Sequence, residues 1–509
     1  HALRALAEQG FAGIAIDANS AGVTTDPGTP SIHFIEPQTA EAVLDAIDRE
    51  KPDGAIVQFA GRTMLSLARA ISSAGVPILG TSIEAIERVK NPARFADLVS
   101  KLGVPRAPSS FAVSADEALA AAERVGYPLL ARAARRAGGQ AAEIIYDAAD
   151  FEAFVESGIE ISSDRPLLVD RFIEGAIEVG VDVISDGETT LVCGVMEFIE
   201  QAGVHSGDSA CSLPPYSLPD EIVEQIKDQA CRIADEIGIK GLMSAQFAVR
   251  SPRVGAGSRI PTGHEVFLLE VNPRASRTVP FVSKATGIDW AGAATRVMLG
   301  RSLQDQGLTA TPRPDLKSGG GSGGHVSVRE TVFPFARFPN VDVVLGPEMK
   351  STGEVMGIDE NFGAAYIKAQ LAAGQNLPDS GTAFVSVAGA DKAEAVEIGR
   401  KLVELGFEVV ATKNTANALR EAGVKAGIVH KIGEGRPDAI DLIKNGRIDL
   451  IINTPSGKKP RMHEVTIRSA AVARGIPIVT TIAGARATLF GMEAIRTHRA
   501  EVRALHEYT

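Results

Sequence analysis

Glu200-Gln201-Ala202-Gly203-Val204-His205-Ser206-Gly207-Asp208-Ser209-Ala210-Cys211-Ser212-Leu213-Pro214-Pro215 sets glycines, serine hydroxyls and one imidazole between two regular elements. Such a loop wraps an anion. Glycine lets backbone N–H groups approach a phosphate, the serines donate, and His205 offers a charge-assisted hydrogen bond with less bulk than an arginine. Taken alone, His205 reads more readily as a structural histidine; its neighbours shift that balance. Further along, Leu269-Glu270-Val271-Asn272-Pro273-Arg274-Ala275-Ser276-Arg277-Thr278 joins a carboxylate and an amide to two arginines. In a strand ending at Asn272, alternate side chains share a face, so Glu270 and Asn272 point one way while Leu269 and Val271 point to a core. Gln246, on a neighbouring strand, supplies a third oxygen. Three such donors suit Mg²⁺, which keeps waters and shares ligands with nucleotide phosphates. The alternative is a solvated sheet face, but Arg274 and Arg277 beside it favour an anion clamp. The two stretches together point to ATP, a divalent metal and a small anionic acceptor.

The 509 residues, 45% of them hydrophobic, are enough for three or four domains. A net charge of −11 gives no general basic field, which argues against nucleic acid as a main partner. Cys193, Cys211 and Cys231 lack metal-ligand spacing and fit buried thiols in a reducing, cytoplasmic setting. No signal peptide or membrane-spanning run is evident. The chain opens at His1-Ala2-Leu3-Arg4 in a helical pattern without an initiator Met, and reads as part of something longer.

Working outward, the first segment alternates strands (Gly13 to Asp17, Ala55 to Phe59, Pro77 to Gly80) with helices such as Ala40 to Arg49, the rhythm of a parallel sheet. Beyond Asn91 the pattern becomes α+β. Its strands are Leu129 to Arg132, Leu167 to Phe172, Glu178 to Ile184, Thr190 to Met196, Ala245 to Arg250 and Val266 to Asn272. A long helix from Glu221 to Ile237 carries Ile222, Ile226, Ala230, Ile233 and Ile237 on one stripe. Ser251 to His264 and Ser318 to Gly324 read as inserted loops. After a break at 372–381, strict βα alternation returns to the end, predicting a small doubly wound domain.

Other residues add to the nucleotide reading. Arg132 ends an apolar strand and precedes Gly138-Gly139, either a flap over phosphates or a plain turn. Asp170, Phe172, Ile173 and Glu178 offer apolar contact to a purine and a carboxylate for ribose hydroxyls; an edge strand with one exposed acid explains them as well. In the last domain, Thr412-Lys413-Asn414-Thr415 follows a strand and opens a helix, where either an anion or ordinary N-capping accounts for the threonines. Lys392, Lys431, Asn453 and Thr454 lie at corresponding element ends, which makes a phosphate-bearing effector plausible.

These residues resemble the carboxyl-terminal half of the carbamoyl-phosphate synthetase large subunit over almost the whole chain. The most specific blocks are Glu200 to Pro215, Gly241 to Phe247, Glu270 to Ala285 and Leu345 to Gly357. The resemblance implies an α/β and α+β multidomain protein. It comprises a truncated biotin-carboxylase-like α/β domain (1–82), an ATP-grasp domain (83–371), a linker (372–381) and a doubly wound methylglyoxal-synthase-like regulatory domain (382–509). It further implies that carbamate is phosphorylated by ATP, with ammonia from a glutaminase small subunit and carbamate from the amino-terminal half of the large subunit. Carried over by motif, Arg132, Gly138, Gly139, His205 and Ser206 hold ATP phosphates, and Asp170, Ile173 and Glu178 surround adenosine. Gln246, Glu270 and Asn272 bind Mg²⁺ or Mn²⁺ with K⁺ nearby, while Arg274 and Arg277 orient carbamate. Lys392, Thr412, Thr415, Lys431, Asn453 and Thr454 form a site for an effector such as UMP or IMP, and an oligomer is expected.

The chain departs from the family pattern at several points. Ala131-Arg132-Ala133-Ala134-Arg135-Arg136-Ala137-Gly138-Gly139-Gln140 replaces Val-Arg-Pro-Ser-Tyr-Val-Leu-Gly-Gly-Arg, and Pro92 stands where an Arg commonly reaches ATP. Gln58-Phe59-Ala60-Gly61-Arg62-Thr63-Met64 replaces Gln-Phe-Gly-Gly-Gln-Thr-Pro, and Asn19-Ser20-Ala21-Gly22 replaces Asn-Pro-Glu-Thr. The rival expectation is therefore an altered copy that binds nucleotide or partner subunits with little turnover.

Overall fold

Alternating hydrophobicity builds three successive sheet systems in the computed structural model, which describes residues 1–19, 22, 31–135, 140–250, 263–311, 324–335, 345–454, 458–497 and 502–508. Gly138, Gly139 and most of both expected inserted loops lie outside these residues. The first system pairs Gly13–Ile16 with Ser31–Phe34 in parallel. Helices Ala40–Glu50 and Arg62–Ser73 pack around Val43, Val57, Leu65, Ala68 and Ile71. Ala55 to Phe59 and Pro77 to Gly80, expected as strands, meet only through an isolated bridge between Ala55 and Ile78. Their remaining polar groups are committed elsewhere: the Gln58 carbonyl accepts the Ala275 N–H at 2.9 Å. The buried Gln58 amide donates to Thr81 Oγ1 at 3.0 Å and to the Pro273 carbonyl at 3.1 Å.

Two lobes follow. Helix Pro92–Lys101 begins with Pro92 at its first turn and Asn91 accepting the Arg94 N–H at 3.0 Å, a sound start because proline lacks the N–H that a helix end leaves unpaired. It leads to a smaller lobe whose antiparallel sheet runs Ser109–Ala112, Leu167–Arg171, Leu129–Arg135, Gln140–Ile145, with Ile159–Glu160 pairing with Leu129–Arg135. The larger lobe is a seven-stranded antiparallel sheet in the order Glu265–Asn272, Gly241–Arg250, Ile177–Ser185, Thr190–Phe198, Cys211–Leu213, Val326–Val332, Gly353–Asp359. Helix Asp220–Ile237 buries Ile222, Ile226, Ala230, Ile233 and Ile237, the stripe read from its spacing, against Val179, Val181, Met243 and Phe247. The intervening side chains of the same strands face the other way, into the space between the lobes.

The last system is a five-stranded parallel sheet in the order Gly427–Val429, Phe407–Thr412, Gly381–Val387, Leu450–Thr454, Ile478–Val479. The strand order reverses beside Gly381–Val387, where doubly wound sheets leave a crevice. Helix Phe362–Ala372 packs on helix Ile482–Thr497 of this domain, Gly491 fitting against Ile367. The two bodies therefore meet through helix packing as well as through the connecting segment. Among the described residues no helix is long and apolar enough to cross a membrane.

Candidate active site between the two lobes

A cleft of about 710 Å³ separates the lobes, lined by Arg132, Asp170, Ile173, Glu178, His205, Ser206, Gln246, Glu270, Asn272, Arg274 and Arg277. Every described residue expected to hold ATP, metal or carbamate thus faces one space. Strand register places Gln246 opposite Glu270 and Ser244 opposite Asn272. The three side chains are therefore neighbours on one sheet face.

Leu269 does not point to the core that strict alternation predicted. Pairing slips after Gln246, so that Phe247 meets Leu268 and Leu269 is an extra residue. Val266, Leu268 and Val271 are buried, but Leu269 lines the cleft beside Glu270 instead of entering the core. A bulge re-aims side chains in this way. Leu269 joins Ile173, Ala176, Ala202 and Ala248 in an apolar cluster.

The charges at this end are tightly coupled. Arg132 donates to Asp170 Oδ2 at 2.5 Å and lies 3.6 Å from Glu270 Oε2. Glu270 Oε1 accepts from Arg62 at 2.5 Å and from the Asn272 amide at 2.9 Å. Burial alone would raise the Glu270 pKa, but Arg62 and Arg132 outweigh it and hold the carboxyl below its usual range. Glu178 is buried, which pushes its pKa up to about 7 although its carboxylate accepts the Gly203 N–H at 3.3 Å. Arg274 donates to the Ala275 carbonyl at 2.9 Å and its buried Nε has no partner among the described residues. Arg106, half-buried over the Phe95 ring, adds a further guanidinium to the cleft wall. Six arginines and four carboxylates line the cleft, a cationic surplus that suits a polyanion.

The His205 loop is braced from outside. Its backbone N–H donates to the Gly346 carbonyl at 2.8 Å, and Asp208, buried, accepts the N–H groups of Lys350 and Ser351 at 2.7 and 2.8 Å. Fully buried Arg329 donates to the carbonyls of Ser206 and Ser209 at 2.5 and 2.8 Å. The Gly207 N–H donates to His205 Nδ1 at 3.0 Å, which leaves the proton of a neutral ring on Nε2. Burial and the Arg277 charge lower the His205 pKa, so the ring offers its Nε2–H as a neutral imidazole, and a bond to an anion is charge-assisted through the acceptor.

Asp182 anchors the arginine loop. Buried in the strand Ile177–Ser185, it accepts from Ser276 Oγ at 2.7 Å and from Thr278 Oγ1 at 2.6 Å. Arg277 lies between these two hydroxyl residues, and Arg274 stands two positions before Ser276. Sequence reading gave no role to Asp182, Arg62, Arg106 or Arg329. Arg62 stood out only as a departure from the family pattern, and Asp182 carried a signal as an acid inside the apolar run Val179 to Ile184.

In the last domain Thr412, Thr415 and Thr454 gather at the crevice of the parallel sheet. Thr412 Oγ1 is 3.3 Å from Ser386 Oγ and 3.5 Å from Thr415 Oγ1, and Thr454 Oγ1 donates to Asp391 at 2.8 Å. Thr412 precedes helix Lys413–Glu421 but makes no side-chain capping bond, so ordinary capping does not occupy its hydroxyl. Lys392 starts helix Lys392–Glu404, Asn453 is buried in register with Ser386, and Lys431 is exposed beyond Gly427–Val429. The same domain touches the His205 loop: Thr480 Oγ1 lies 3.3 Å from half-buried Glu200, and Thr481 Oγ1 donates to the Ile199 carbonyl at 3.0 Å.

Two α+β lobes with sheet-borne oxygen donors between them define an ATP-grasp fold. The biotin carboxylase domain of the Hydrogenobacter thermophilus 2-oxoglutarate carboxylase, solved with MgADP, ADP and bicarbonate, shares it, with a TM-score of 0.53 at 17% identity over 73% of this chain and 86% of that one. The model of the carbamoyl-phosphate synthase L chain ATP binding domain matches residues 92–306. That of the carbamoyl phosphate synthase preATP-grasp domain matches 1–88, and that of the MGS-like domain matches 394–480. The carbamoyl phosphate synthase large chain of Methanothermobacter thermautotrophicus is 46% identical over 100% of this chain and 46% of its own length. That of Rhodopirellula baltica is 46% identical over 99% of this chain and 45% of its own length. The chain belongs to the carbamoyl phosphate synthase large-chain family, and it spans about half the length of the curated relatives it matches.

Proposed function

We propose that the chain phosphorylates carbamate with ATP to give carbamoyl phosphate and ADP, as the second synthetase half of a glutamine-dependent carbamoyl-phosphate synthetase. The observation that carries this reading is the convergence on one cleft of the Gln246, Glu270 and Asn272 oxygens, the braced His205 loop and the Arg274–Arg277 pair. Adenine takes the slot formed by Ile173, Ala202, Ala248 and Leu269, and Glu178 accepts from ribose. Arg132, the His205 Nε2–H and the N–H groups about Ser206 hold phosphates. Gln246, Glu270 and Asn272 fit Mg²⁺ or Mn²⁺ by their oxygen chemistry and by Glu270 being kept ionised. A bound divalent cation supplies neutralisation of phosphate charge, and K⁺ is expected nearby.

Arg274 and Arg277 orient carbamate so that its oxygen attacks the γ-phosphorus as the bond to the ADP oxygen breaks. Their guanidiniums stabilise charge spread over the transferred group, and positioning accounts for the rate without a covalent intermediate. The amino-terminal half of the large subunit supplies carbamate, and a glutaminase small subunit supplies ammonia. A nucleotide such as UMP or IMP, bound by Lys392, Thr412, Thr415, Lys431, Asn453 and Thr454, signals to the ATP loop through the Thr480–Glu200 and Thr481–Ile199 contacts within an oligomer.

The test is ATP formation from ADP and carbamoyl phosphate by the purified chain. Mg²⁺-dependent synthesis, reduced more than about a hundredfold in Glu270→Gln, supports the reading. A second reading, an altered copy that binds nucleotide with little turnover, is favoured by the Arg62 guanidinium on Glu270. ADP binding without any ATP formed would establish it.

A further inference from the structure

Glu270 is claimed by a cation of the protein's own. We propose that Arg62 is a built-in occupant of the cation place on Glu270, so that a residue of the preceding domain sets the threshold at which a divalent metal binds. The inference rests on the metal reading of Glu270, Asn272 and Gln246 given above.

Arg62 reaches the same oxygen, Oε1, that the Asn272 amide also bonds. A metal shared by Glu270 and Asn272 needs that oxygen and needs the Asn272 carbonyl turned toward it. With both lone pairs of Oε1 taken, by Arg62 and by the Asn272 amide, a dication bound to that oxygen displaces Arg62. Nothing in its own helix explains why Arg62 stands there. It is the first residue of Arg62–Ser73, whose first turn holds no acid, and a positive charge at that end opposes the helix dipole. Its tie is to Glu270, 208 residues away.

Two guanidiniums approach Glu270, and they differ in their freedom to leave. Arg132 is 33% exposed and is also fixed to Asp170, whereas the Arg62 side chain is 59% exposed and has open solvent to swing into. Arg62 is thus the displaceable partner and Arg132 the permanent one. Displacement costs the free energy of one partly exposed ion pair, a modest amount that metal binding readily offsets.

The experiment titrates Mn²⁺ into the 509-residue chain without nucleotide, reading free Mn²⁺ from its electron paramagnetic resonance signal. Wild type, Arg62→Gln, Glu270→Gln and the double variant are compared, with circular dichroism confirming that each is folded. The expected result is binding about fivefold tighter in Arg62→Gln, the upper range for a partly exposed pair. That gain should vanish in the double variant, which binds as weakly as Glu270→Gln. Equal affinities in wild type and Arg62→Gln, with binding still lost in Glu270→Gln, overturn the occupant role and leave the metal site standing. Binding indifferent to Glu270→Gln overturns both.

Discussion

Replacing Asp182 by asparagine separates the part of this carboxylate that serves stability from the part that serves the arginine loop. Burial pushes the Asp182 pKa up from 3.8 to about 6, against the opposing pull of the Thr278 and Ser276 hydroxyls and the Arg329 charge. At about 1.4 kcal/mol per tenfold change, keeping the group ionised in the folded protein costs about 3 kcal/mol. The folded state binds this proton more tightly than the unfolded state. Its contribution is therefore fully present below pH 3.8 and lost as the pH rises through about 6. Asparagine, which never ionises, escapes that loss. It keeps one oxygen for a hydroxyl, but its amide must donate where Asp182 accepts, so one of the bonds to Ser276 and Thr278 is reorganised at about 1 kcal/mol. Denaturant unfolding should then show Asp182→Asn more stable than wild type by about 2 kcal/mol at pH 8, and no more stable near pH 4. Turnover should move the opposite way, because a shift of about 1 Å in Arg274 and Arg277 lowers kcat on the order of a hundredfold while the base slot and the KM for ATP stay as they were. A stability difference that is the same at both pH values, or turnover unchanged at any pH, refutes the reasoning.

Three other substitutions probe independent parts of the account. Glu178→Gln removes a buried acid whose pKa stands at about 7, so its gain in stability over wild type should grow between pH 4.5 and 7 and level off above, followed by denaturant unfolding. Arg329→Met strips the donors from the Ser206 and Ser209 carbonyls; unfolding should become easier by about 3 kcal/mol, and the KM for ATP should rise more steeply than kcat falls. Gly357→Ala places a methyl group on the Ala365 carbonyl and the Ala369 amide, where neither backbone can yield, and should loosen helix Phe362–Ala372, as hydrogen exchange of that helix would record.

Much of this fold is legible in local rules. The Ile222 to Ile237 stripe, the ATP-grasp strands and the returning parallel sheet all follow from periodicity, because each buries one face. Periodicity failed where tertiary pairing decided. Ala55 to Phe59 has the composition of a strand, yet its Gln58 is spent on Ala275 and Pro273, partners more than two hundred residues away. Leu269 obeys alternation until a bulge, invisible in a single strand's sequence, turns it into the cleft. The residues proposed to hold metal and anion stood out because carboxylate, amide and arginine followed one another along the chain. Arg62, Asp182 and Arg329 act through contacts that only the folded lobes create.

The most direct measurement is a crystal of the chain soaked with Mn²⁺ and a non-hydrolysable ATP analogue. Anomalous density bounded by Gln246, Glu270 and Asn272, with the triphosphate against His205 and Arg132, is the predicted result. Nucleotide bound away from those side chains, or manganese held without Glu270, would contradict it.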